Sequence, residues 1–345
     1  MGADHSTASF TALADLASAR VGGGAVATND DFFASKANLV KAEPPIFIPG
    51  KFTSRGKWMD GWESRRRRTP GHDWCIVALG LRGVVHGVNV DTRFFTGNFP
   101  SHCSIEAADF PKGLSRAVTQ KRYAETLNGP DPFVEILPKS ALRGDGDNYL
   151  PIDDRRPWTH LRLNIFPDGG VARLRVFGEA AIDWTAVARR GQLIDLASIL
   201  NGGLVLGASD MHYGARDNLI MPGRARNMGD GWETRRRRGP GHDWVIVRLG
   251  APGRIARVEI DTNHFKGNYP DRASIEGTLA PTASLSALNE AAWRTLLPET
   301  KLKPHHRHVL TAQLAATGPL SHVRLNIFPD GGISRLRVHG RVEPA

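Results

Sequence analysis

Cysteine is nearly absent from this 345-residue chain: Cys75 and Cys103 are the only two. Two are too few for a disulfide framework or a cysteine zinc site, and they suit a reducing cytoplasm. No apolar run approaches the length of a membrane span, and the N-terminus lacks the apolar core of a signal peptide. A cytoplasmic protein without membrane partners is therefore expected. Met1–Ser6 match the short myristoylation pattern, but no second membrane signal accompanies them. There is no His-Glu-x-x-His, no Walker loop, no dinucleotide fingerprint between strand and helix and no Gly-x-Ser-x-Gly elbow. His305, His306 and His308 have no equivalent elsewhere in the chain and read as a polar loop rather than a metal site. No cofactor is required by the sequence; activation by a divalent ion such as Mn²⁺ stays open.

What is present is Gly and Pro (37 and 22 residues), pointing to many turns and short strands. The net charge of +10 comes from 45 Lys+Arg against 35 Asp+Glu. Two runs, Arg65–Arg68 and Arg235–Arg238, supply eight of these charges, so the rest of the chain carries 10 − 8 = +2. Such concentration favours a local anion site or two solvated basic strands over a nucleic-acid-binding face.

The chain repeats itself. Asp60-Gly-Trp-Glu-Ser-Arg-Arg-Arg-Arg and Gly71-His-Asp-Trp74 recur at Asp230–Arg238 and Gly241–Trp244, an offset of 170. Asp91-Thr92 through Gly97-Asn98 and Pro100 return with the same offset, and Arg162–Gly170 returns at Arg324–Gly332. A period near 170 is too long for a solenoid, so two domains are expected, residues 1–182 (with a lead-in of 1–24) and 183–345. The changing offset marks insertions in loops.

Period-two alternation, as in Trp244–Leu249, Ile255–Ile260 and Val323–Ile327, marks strands with one wet face. Helical patterning is confined to about 8–20, 183–200 and 284–297. Each repeat reads as an all-β sandwich. The Pro-Asp-Gly-Gly segment predicts a hairpin between Val323–Ile327 and Ser334–Val338. That pairing would gather Arg324, Asn326, Arg335 and Arg337 on one surface, with Arg162, Asn164, Arg173 and Arg175 in the other copy. Guanidinium forks there could grip a carboxylate; an ordinary solvated face with ion pairs is the alternative. Glu63, His72, Glu233 and His242 lie beside the arginine runs, a plausible acid/base and anion-binding set. Against it stand Trp62 and Trp74 as core aromatics, Asp73 as a turn cap and the arginines as a solvated run.

These doubled motifs resemble the tandem repeats of allantoicase (allantoate amidinohydrolase) from about Ala25 to Gly340. The resemblance implies two galactose-binding-like jelly rolls and an enzyme converting allantoate and water to ureidoglycolate and urea. Its substrate would break at an aminal carbon, which needs an acid for the departing nitrogen, a base for water and a cation for the carboxylate. The expected proton-transfer residues are Glu63, His72, Glu233 and His242. The nearby arginines should lower a glutamate's pKa, favouring Glu as base and His as acid. Substrate contacts are expected from Asp60, Trp62, Arg65, Arg67, Arg162 and Asn164, with repeat mates Asp230, Trp232, Arg235, Arg237, Arg324 and Asn326. A homo-oligomer is expected. A non-catalytic sandwich binding a small carboxylate or sugar, or a basic nucleic-acid binder, would release no urea.

Overall fold

The computed structural model describes residues 9–110 and 131–343; the Met1–Ser6 pattern lies outside them. The chain divides into two compact units, residues 1–181 and 182–345. Each unit is a jelly-roll-like β-sandwich built on one strand of 19 residues, Asp73–Asp91 or Asp243–Asp261. In the first unit the opening part of that strand pairs with Gly24–Thr28 and Pro157–Phe166. Its closing part pairs with Arg173–Ala180 and Tyr149–Pro151. One strand thus serves two layers, and its alternate side chains fill the space between them. Val77 and Leu163 from one layer share a core with Val88 and Val176 from the other. Outward from Pro157–Phe166 come His102–Ala108 and then Val134–Ala141. The second unit repeats this order with Leu204–Ala208, Pro319–Phe328, Arg335–Val342, Arg272–Thr278 and Arg294–Lys301.

Three local expectations are corrected. The strands flanking Pro-Asp-Gly-Gly do not form a hairpin, because the long strand lies between them in both sheets. Each flanking strand fills a different layer, a non-local outcome that local alternation cannot reveal. Trp244–Leu249 and Ile255–Ile260 are parts of one strand whose register shifts past Gly250–Gly253. Helix is shorter than expected: 3-10 turns at Ser9–Ala12 and Ala19–Val21, and α-helices at Trp184–Arg190 and Leu285–Asn289. The remainder of 284–297 is drawn into strand Arg294–Lys301 by pairing with Arg272–Thr278, tertiary pairing prevailing over local propensity. Ala14–Asp15, in the expected lead-in, pairs with Arg173–Ala180.

Candidate active site

The two-residue strand Trp62–Glu63 is held from both sides. Glu63 pairs with Gly170, and its amide and carbonyl bond to the Ala34 backbone. Gly169 has φ 138° and packs so tightly that a Cβ would lie 2.6 Å from the Asn98 carbonyl; only glycine accepts both conditions. Gly170 N–H donates to that carbonyl at 2.8 Å. The Asp-Gly-Gly turn therefore fixes the Asn98 loop against Glu63, and Asn98 Nδ2 donates to Glu63 Oε1 at 2.6 Å. The second unit makes the same arrangement from Glu233, Asn268, Gly331 and Gly332.

Around Glu63 lies a cavity of about 370 Å³, lined by Phe33, Gly56, Lys57, Met59, Phe94, Thr96, Gly97 and Asn98. Phe94 sits at φ 70° on the rim, a strained backbone of the kind that persists at functional sites. Burial raises the Glu63 pKa, and it outweighs the opposing effects of the Asn98 hydrogen bond and the Lys57 charge. This reverses the expectation that arginines depress it. Arg65 turns to Asp30 (2.6 Å) and Arg67 to Asp73 (2.6 Å), so neither reaches Glu63. Arg235 and Arg237 turn likewise to Asp210 and Asp243.

Other expected residues stand elsewhere. Trp62 and Trp232 are fully buried, each donating its indole N–H to a backbone carbonyl, of Asp30 and Asp210. Asp60 and Asp230 hold the buried guanidiniums of Arg173 and Arg335. These four residues serve the core. His72 and His242 pack, tilted, against Phe166 and Phe328, ring centroids 4.7 Å apart in both units, rather than against Glu63 and Glu233.

His242 belongs to a second cluster, on the outer face of the sheet formed by Pro319–Phe328 and Arg272–Thr278. It lines a hollow of about 740 Å³ with Trp244, Ser274, Glu276, Arg324, Asn326 and Phe328. Arg324 grips Glu276 through Nε and Nη2 at 2.9 and 2.7 Å. Asn326 Nδ2 donates to Glu276 at 3.0 Å. Burial opposes ionisation of Glu276, but the Asn326 and Arg324 bonds prevail and its pKa is lowered. In the first unit Arg162, Asn164 and Glu106 repeat the contacts. Arg335 and Arg337 are absent from this face: they line a different hollow with Glu259, Asp261 and Arg307. The expected single surface of three arginines and an amide is thus split between the two layers.

Glu106 and Glu276 were not among the sequence candidates, although Ser104-Ile-Glu106 recurs as Ser274-Ile-Glu276 at the offset of 170. His308, expected in a polar loop, stands instead on the strand Arg307–Leu310, where it uses both ring nitrogens on backbone, at Ile260 O and Lys303 N.

An allantoicase-repeat model matches residues 14–181 and 194–343. The chain belongs to the allantoicase family. It is 51% identical to probable allantoicase 1 of Burkholderia mallei over 331 residues, 95% of this chain and 94% of that protein. It is 49% identical to the probable allantoicase of Pseudomonas paraeruginosa, covering 99% of both. The solved allantoicase of Saccharomyces cerevisiae superposes with a TM-score of 0.81 at 32% identity, covering 98% of each chain. This allantoicase-family chain carries the Glu-Asn pair and the Arg-Glu-Asn cluster once in each repeat. No helix among the described residues is long and apolar enough to cross a membrane.

Proposed function

We propose that this chain hydrolyses allantoate to ureidoglycolate and urea in purine catabolism, and that the cavity around Glu63 is where it does so. Family membership carries the reaction; the raised pKa of Glu63 inside a cavity of substrate size carries the site.

Allantoate joins one carboxylate and two ureido groups at a central carbon. Cleavage of one C–N bond there needs a proton on the departing nitrogen, while the lone pair of the other ureido nitrogen forms a C=N bond. A protonated Glu63 suits the first task. Asn98 occupies Glu63 Oε1 as acceptor, which leaves the other oxygen to carry the proton, and the amide oxygen of Asn98 can accept a ureido N–H. Once urea has formed, the Glu63 carboxylate takes a proton from water as water adds to the C=N carbon. The hydroxyl of ureidoglycolate results, and the acid is restored. One carboxyl is acid and then base, and no carbonyl is attacked, so no metal is needed to polarise one.

The outer-face cluster offers a second location, favoured by one observation. Asn164 Oδ1 and Asn326 Oδ1 are buried acceptors without a hydrogen-bond partner, and a ureido N–H would satisfy either. Purified wild type should release urea from allantoate. Glu63→Gln and Asn98→Ala should each cut kcat/KM, the first by about 10²-fold or more. Full activity in Glu63→Gln with activity lost in Asn326→Ala would move the chemistry to the outer face.

The cytoplasmic location and the homo-oligomer belong to the same proposal. Two buried thiols suit a reducing compartment, and light scattering on the purified chain measures its assembly.

A further inference from the structure

The two repeats keep the Glu-Asn pair but do not build the same cavity around it. Val40 and Asp60 are 20 positions apart, whereas their mates Ile220 and Asp230 are 10 apart, so the first repeat carries ten extra residues. In the segment lengthened by that insertion, Phe52–Thr53 pairs with Gly56–Lys57. Arg55 Nη1 ties the turn to Phe32 O at 2.9 Å, beside Phe33 of the cavity wall. Trp58 N–H closes the base on Lys51 O at 3.0 Å. Gly56, at φ 136°, faces the Phe33 ring. The ammonium of Lys57 lies 4.6 Å from the centre of the Phe47 ring, a cation-π contact at the cavity edge. Apart from Glu63, Lys57 is the sole charged residue lining the cavity among the described residues.

We infer that the first repeat holds the productive site and that Lys57 is the residue that binds the substrate's carboxylate. This rests on the reading of Glu63 as proton donor. Lys57 brings a positive charge to the cavity wall beside Glu63, matched to the carboxylate of a monoanionic ureido acid. Lys57 is close enough to Glu63 to act on its ionisation. Once the carboxylate of the ligand neutralises that ammonium, Glu63 loses the charge that favoured its ionisation and gains a negative neighbour. Both changes hold the proton on Glu63, so binding itself arms the acid.

The second repeat lacks these parts. At the 170 offset Lys57 becomes Asn227, whose side chain accepts from Asp230 N–H as a helix cap. Met59 becomes Gly229, and Phe33, at an offset of 180, becomes the exposed Tyr213. Lys266 replaces Thr96, so a cation is available there without the apolar wall or the hairpin.

The test measures steady-state urea release by the full chain for Lys57→Met, Lys57→Arg, Glu63→Gln and Glu233→Gln, with circular dichroism on each. Lys57→Met should raise KM for allantoate about tenfold or more, the loss expected for a charged hydrogen bond, with a smaller change in kcat. Lys57→Arg should recover part of it. Inhibition by the neutral carboxamide analogue of allantoate should be indifferent to Lys57→Met, a split that a merely structural lysine would not give. Glu233→Gln should stay near wild type while Glu63→Gln is inactive. An inactive Glu63→Gln with wild-type KM in Lys57→Met would overturn the role of Lys57 and leave Glu63 standing. Equal damage in Glu63→Gln and Glu233→Gln would overturn the assignment to the first repeat. An active Glu63→Gln would overturn the underlying reading itself.

Discussion

Asp230→Asn separates a structural aspartate from a substrate-binding one. The motif places Asp230 beside Trp232 and Glu233, where a substrate contact was expected, yet its carboxylate faces Arg335 at 3.1 Å with both side chains under 10% exposed. Arg335 also donates to the backbone oxygens of Asp230 and Ser334. It ties the start of Arg335–Val342 to the segment that delivers Glu233. Neutralising one member of such a pair leaves an uncompensated buried charge and costs about 3–5 kcal/mol. For a unit of this size 1 kcal/mol moves the transition by roughly 2–4 °C, so calorimetry should show the second unit's transition lowered by roughly 6–20 °C. At a temperature well below that transition, kcat and KM for allantoate should match wild type. An unshifted transition together with a raised KM would refute the reasoning and return Asp230 to the substrate.

Acid should act differently on two carboxylates of the first unit. Burial opposes ionisation of Asp60, but the bonds from Arg173 and Lys41 prevail and its folded pKa lies below 3.8. Its stabilisation is present above pH 3.8 and lost as pH falls through the folded value, so Asp60→Asn should flatten that acid limb in urea titrations. The Glu63 pKa is raised above 4.5: its contribution is fully present below 4.5 and declines as pH rises through the folded pKa. Glu63→Gln should therefore gain stability relative to wild type at neutral pH while losing activity. Burial pushes the Cys103 thiol up to about 12 and raises Cys75 as well; thiol reagents should be slow on the native protein, and Cys75→Val, at the position where the second repeat has Val245, should retain activity. Dialysis against EDTA should leave urea release unchanged; activity lost and restored by Mn²⁺ would show that a metal takes part.

Local chemistry made the repeat and the strands legible. Inward alternation at Val323, Leu325 and Ile327 reflects burial, and all three are fully buried. Alternation cannot tell which layer a strand joins, so Arg324 and Arg335, eleven positions apart, were assigned to one face and stand in two. The arginine runs misled for a related reason: a guanidinium beside a glutamate in sequence pairs with whichever carboxylate the fold delivers, here Asp30 and Asp73. Glu276 was legible in principle as part of a doubled Ser-Ile-Glu. The role of Lys57 was not, because its meaning depends on a hairpin present in one copy and on the Phe33 wall against which that hairpin packs.

The most direct test of the account is the reaction run in H₂¹⁸O with mass analysis of both products. Cleavage at the aminal carbon predicts one ¹⁸O in the new hydroxyl of ureidoglycolate, none in urea, and no ammonia. Ammonia with label in carbon dioxide would mean attack on a ureido carbonyl and would contradict the mechanism assigned to Glu63.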